Sequence, residues 1–143
     1  MSLLIYVWLV MVSYKRFEDL PVWQAARLLS VATFRLCEDK CFAFQGDVRI
    51  QMQKAALSVA SNIAEGFERG STQDIISFIY YARGSAGEIR SICYTLLALE
   101  RYKHLSTGLS DLQEQSSGVG RQLKAWADSL NRSKIRGQRY FSS

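Results

Sequence analysis

From about position 17 onward, apolar residues recur at steps of three and four. That is the period of a helix burying one face, not the alternation of a half-buried strand. In the first run Val22, Ala25, Leu29, Ala32 and Leu36 form a heptad-like seam. Asp19 is expected as its N-cap, with Pro21 in the first turn, where a missing N–H costs nothing. Trp23, Leu28, Val31 and Phe34 lie off the seam, so its apolar surface is wider than one partner helix would cover. Cys37 to Gly46 breaks the pattern and reads as a helix end plus connection.

The second run spans Asp47 to about Ala64, with Val48, Met52, Ala56, Val59 and Ile63 as its stripe. Gly66 and Gly70 are expected to free the backbone for the following turn. The third helix begins at Ser71, and Asp74 completes a capping-box-like start. Ile75, Ile79, Ala82, Ala86, Ile89, Cys93 and Leu96 alternate steps of four and three. Phe78, Tyr81, Ile92 and Leu99 flank that stripe, which predicts burial on more than one side. This reads as the longest helix, reaching about Arg101. Tyr102 to Leu105 makes the next turn, and Ser106 is expected to cap the fourth helix. There Leu109, Leu112, Val119, Leu123, Trp126 and Leu130 share one face, with Ser116 in the gap. Gly108, Gly118 and Gly120 each lower helicity by about 1 kcal/mol relative to alanine, so packing must hold this helix.

The pattern predicts an all-α protein, an up-down-up-down antiparallel four-helix bundle over residues 17–131. Nothing reads as a strand unless the first dozen residues form one. Residues 1–16 read as a hydrophobic N-terminal appendage, and 132–143 as a basic, mobile tail. Leu3 to Val12 is ten apolar residues in a row. A spanning helix needs about 20, so no integral membrane insertion is expected. A signal peptide would want a basic start and a small-residue cleavage site. Three readings stay open: a segment lying on the bundle or a neighbouring subunit, a membrane-surface anchor, or an over-long start with Met11 as the true first residue.

Charge sharpens the picture of the ends. The net charge is +5 over 143 residues. Lys15, Arg16, Arg132, Lys134, Arg136 and Arg139 more than account for it, because the other twelve Lys/Arg face thirteen Asp/Glu. Basic ends point to an anionic partner such as nucleic acid, with a solubilising tail as the alternative. Arg27, Arg35, Arg121 and Lys124 are further candidate contacts. Of the three cysteines, Cys37 and Cys41 stand four apart, as two ligands on one helical face would. Two more ligands would be needed, and the single histidine, His104, is remote in sequence. Buried reduced thiols in a cytoplasmic protein are therefore the expectation, with no metal and no cofactor.

The chain is organised around Ser58 to Gly87, where small residues crowd two successive helices. Small side chains let helix backbones approach closely. Asn62, Glu65, Arg69, Arg83 and Glu88 fall in this stretch, and buried polar groups need partners. They are expected to form a structural polar motif that fixes the turn and the hairpin register. Antiparallel pairing about Arg69-Gly70 sets Glu88 opposite about Gln51 and Arg83 opposite about Ala56. Asn62 and Glu65 fall opposite about Ser77 and Asp74, too far off to make one compact site with Arg83 and Glu88.

The wording Ser58-x-x-Ser61-Asn62-Ile63-Ala64-Glu65-Gly66-Phe67-x-Arg69-Gly70-Ser71, followed by Phe78-x-Tyr80-x-Ala82-Arg83-Gly84-Ser85-x-x-Glu88, resembles the bacterial 23S rRNA intervening-sequence proteins. Phe17-Glu18-Asp19-Leu20-Pro21-Val22-Trp23 looks like that family's opening, and the similarity covers roughly Phe17 to Asn131. Relatives often carry proline where this chain has Ala60. The resemblance implies a four-helix bundle that assembles into closed homopentamers, some with a basic channel. A related accessory protein of diversity-generating retroelements uses such a ring to hold nucleic acid and a reverse transcriptase.

No nucleophile motif, phosphate-cradling loop, HExxH or CxxC pattern occurs. The reading is a non-enzymatic homo-oligomeric accessory protein associated with RNA or DNA. A protein-interaction scaffold without nucleic acid is the first alternative. An enzyme using Glu65 and Arg83 is the second.

Overall fold

Four α-helices carry most of the described residues. The computed structural model describes the backbone of residues 14–141 and the side chains of 14–132. The apolar run Leu3 to Val12 lies outside the described residues. Helix α1 spans Pro21–Leu36, α2 Gly46–Arg69, α3 Thr72–Leu97 and α4 Ser106–Phe141. Short 3-10 turns at Phe17–Asp19, Lys40–Phe42 and Glu100–Leu105 shape the entry and two of the links. No strand occurs among the described residues.

The all-α bundle matches the hydrophobic pattern, and contacts across it fix the order. Ser58 Oγ accepts from Ser85 Oγ at 2.8 Å, and Gln51 Nε2 donates to Glu88 Oε1 at 3.0 Å. The two pairs progress in opposite senses along α2 and α3, so these helices are antiparallel. Arg101 Nε donates to the Cys41 carbonyl at 2.9 Å, which places the α1–α2 and α3–α4 links at one end.

Each helix reads differently in detail. α1 is capped by Leu20, not Asp19: Leu20 is extended and buried, Pro21 follows it, and Asp19 belongs to the preceding 3-10 turn. The buried face of α1 is Val22, Ala26, Leu29, Ser30 and Thr33, whereas Ala25, Ala32 and Leu36 are half-buried. Ser30 and Thr33 can enter the core because their hydroxyls find carbonyls. Ser30 Oγ donates to Ala56 O of α2 at 2.8 Å, and Thr33 Oγ1 donates to Leu29 O at 2.8 Å.

α2 runs five residues past Ala64. Gly66 is therefore inside the helix and Gly70 alone makes the turn, with φ +78° in the left-handed region that favours glycine. The buried Gly66 serves close approach: a Cβ there would stand 2.8 Å from Phe78 Cβ on α3. At the start of α3, Ser71 Oγ accepts from Asp74 N at 3.1 Å, as the capping box requires. Ile79, Ala82, Ala86, Ile89, Cys93 and Leu96 are buried as expected, joined by Ile76 in place of the half-buried Ile75. The helix stops at Leu97, because the chain turns Tyr102 into the core through the 3-10 segment.

The apolar face of α4 is buried as the spacing predicts, including Ser116, whose hydroxyl donates to Leu112 O at 2.7 Å. Ser106 is its first helical residue, not its cap, and donates to Lys103 O. α4, not α3, is the longest helix, and it continues past Asn131 to Phe141.

Candidate functional site

Burial of the α4 core face dictates what the opposite face presents. At 100° per residue, positions 121, 124, 125, 128, 132, 135, 136 and 139 fall within a sector of about 120° opposite Leu112, Val119, Leu123 and Leu130. Five of those eight positions are Arg or Lys, the exceptions being Ala125, Asp128 and Ile135. Arg121, Lys124 and Arg132 are exposed. Lys124 Nζ donates to Asp128 Oδ2 at 3.1 Å, one helical turn away. The helix backbone continues under positions 136 and 139, while the side chains of Lys134, Arg136 and Arg139 lie outside the described residues. Position 134 falls off this line. The sequence marked these cations singly; their alignment emerges because the helix does not end at Asn131.

Two more predicted cations stand on α1. Arg27 and Arg35 are exposed and border a groove of about 440 Å³ between α1 and α2, which Trp23, Phe34 and Leu57 also line. Lys15 and Arg16 precede α1 and are exposed; Arg16 pairs with Glu18 at 3.4 Å. Hydrogen bonding to Glu18 holds the Arg16 guanidinium above its usual range.

The structure disperses the polar residues of the central stretch. Asn62 Nδ2 donates to Ser58 O at 2.8 Å and to Ser58 Oγ at 2.9 Å. Arg69 pairs with Glu65 at 3.1 Å on its own helix, and its guanidinium lies 4.8 Å from the centre of the Phe78 ring. Glu88 accepts from Gln51, as the hairpin register predicts. Arg83 is exposed on α3. These are three local arrangements with Arg83 outside them, and only Asn62 of the five is withdrawn from solvent. Glu65 and Arg83, the pair an enzyme reading needs, are not brought together.

All three cysteines are buried and free. Burial pushes Cys37 up to about 11 and Cys93 up to about 12. Burial first, then Asp39, pushes Cys41 up to about 11. Such thiols are poor nucleophiles at neutral pH. His104 is not remote in space: its Nε2 lies 3.1 Å from Asp39 Oδ1. The sequence reading missed this neighbour, although reversal of the chain at every link implies that the first and third links share an end.

Among the described residues no helix is long and apolar enough to cross a membrane. A family model described as 23S rRNA-intervening sequence protein matches residues 18–125. No curated protein matches the chain.

Proposed function

The chain belongs to the 23S rRNA-intervening sequence protein family, and we propose that it is a non-enzymatic, self-associating accessory protein that contacts nucleic acid in the cytoplasm. The basic line along α4 carries this reading. Five cations spaced over five helical turns suit a run of phosphates, and each phosphate contact releases counterions. The family description makes RNA the first nucleic acid to test.

A second surface supports self-association. Tyr80, Gly84, Gly87, Ser91 and Tyr94 recur at steps of four and three on the outer side of α3. A Cβ at Gly84 or Gly87 would meet nothing within 4 Å, and Tyr94 is 65% exposed. Small residues between two tyrosines offer another helix a close seat. Copies joined there turn a weak cationic line into a multivalent one. A closed homopentamer is the assembly the family resemblance favours. A protein scaffold without nucleic acid is the second reading, favoured by exposed Phe34 and Leu57 in the α1–α2 groove.

Fluorescence anisotropy with a single-stranded RNA tests the first reading. Affinity is expected to fall steeply between 50 and 200 mM salt, with a log–log slope of about −0.7 for each phosphate contacted. Arg121→Glu combined with Arg132→Glu should weaken binding and flatten the slope. No binding at 50 mM salt would leave the scaffold reading in place. Light scattering on the same samples reads the assembly, and a monomer at every concentration would refute it.

A further inference from the structure

Three side chains of different chemistry meet where the first and third links come together. Asp39 and Cys41 lie in the link after α1; His104 lies in the 3-10 turn before α4. One ligand-type atom from each falls within 4.8 Å of the other two. We propose that Asp39, Cys41 and His104 bind one zinc-class divalent cation, which fastens the α1–α2 link to the turn that starts α4.

The donor set selects the metal. Imidazole nitrogen, thiolate sulfur and carboxylate oxygen together suit zinc or cobalt, whereas magnesium and calcium prefer oxygen alone. In a tetrahedral site with bonds of about 2.0–2.3 Å, donors stand roughly 3.3–3.8 Å apart. Closing from 4.8 Å to that spacing asks for small side-chain shifts, and the half-exposed His104 is free to make them. Its exposure also leaves a fourth position to water.

The ground beneath the donors is already firm. Phe42 and Tyr102, one from each link, are buried with ring centres 5.3 Å apart. Arg101 Nε bonds the Cys41 carbonyl at 2.9 Å, and Asp39 Oδ1 accepts from Cys41 N at 2.9 Å. Capping explains the Asp39 contact with the Cys41 backbone, and the Cys41 thiol also hydrogen-bonds the Asp39 carboxylate. Without a cation, a buried thiol beside a carboxylate keeps its proton. A divalent cation reverses that balance: the metal–sulfur bond forms, the S–H bond breaks, and the proton leaves to solvent.

Cobalt(II) titration of the tag-free, chelator-treated full chain at pH 7.5 tests the site. The expected result is a thiolate-to-cobalt charge-transfer band that saturates at one equivalent and is displaced by zinc. Cys41→Ser should remove the band. Because Cys41 is buried, His104→Ala is the decisive variant: its side chain is half-exposed, and cobalt affinity should fall at least tenfold. Zinc should also raise the melting temperature of the parent chain and not of His104→Ala. Absence of the band, or undiminished affinity in His104→Ala, would overturn the proposal.

Discussion

Two glycines inside helices should respond to the same substitution with opposite signs. By intrinsic propensity, alanine at either gains about 1 kcal/mol. At Gly84 an added Cβ meets nothing within 4 Å, so that gain stands. At Gly66 the Cβ would lie 2.8 Å from Phe78 Cβ and 3.5 Å from Ile75 Cα. Carbon atoms pack best at about 3.5–4.0 Å, so the overlap with Phe78 is roughly 1 Å. Phe78 Cβ is bonded to the backbone and cannot swing aside. The two helices must part instead, which strains the Ser58–Ser85 hydrogen bond and the stacking of Arg69 on Phe78.

Overpacking of this kind costs about 1–3 kcal/mol. Gly84→Ala is therefore expected to stabilise by about 1 kcal/mol and Gly66→Ala to destabilise by up to about 2 kcal/mol, the clash exceeding the propensity gain. Urea unfolding followed by circular dichroism reads both, and repeating it at two protein concentrations exposes any contribution from association. At this chain length each kcal/mol moves Tm by about 3–4 °C. Equal stabilisation by the two alanines would refute the close α2–α3 contact.

Two further substitutions probe the links and the α1–α2 contact. Asp39 is held down to about 2, chiefly by the Cys41 N–H, then by the Cys41 side chain and His104. A carboxylate depressed by folding stabilises above its unfolded pKa and loses that contribution as pH falls through its folded pKa. Stability should therefore drop between about pH 4 and pH 2, with Cys41, His104 and Arg101 as the neighbouring groups. Asp39→Asn should flatten that drop in a pH series of melting curves, and an unchanged slope would count against the assignment. Ser30→Ala removes a buried hydrogen bond to Ala56 O. Its expected cost in urea unfolding is about 1 kcal/mol or less, because the carbonyl keeps its helical N–H; a loss above 3 kcal/mol would require a different role for the hydroxyl.

The helical faces were legible wherever large apolar residues fixed the phase. In α4 six such residues and a long repeat left one choice, and all six are buried. In α1 the phase slipped. Ala25 and Ala26 are adjacent and equal in chemistry, so nothing local says which faces inward. Ser30 and Thr33 look polar in a sequence, yet they are core residues once a carbonyl takes each hydroxyl. Gly66 misled in the other direction. A glycine near a helix end resembles a terminator, whereas here the missing side chain admits Phe78. The basic line on α4 was hidden because the apolar pattern ends at Leu130. The helix nevertheless continues to Phe141, and no proline follows Asn131 to interrupt it.

Distance along the chain is a poor guide to proximity in this topology. Asp39 and His104 are separated by 65 positions and form a hydrogen bond. The reason is geometric: two helices out and back restore the starting level, so every second link meets the same end of the bundle. The rule also sorts the chemistry. The end formed by the first and third links gathers Asp39, Cys41, Arg101 and His104. The start of α1, the Gly70 turn and the later turns of α4 belong to the other end, where Lys15, Arg16 and Arg132 are exposed. A cation placed among the donors would thus sit at the opposite end from Arg132, whereas Arg35, in the last turn of α1, lies at the donors' own end.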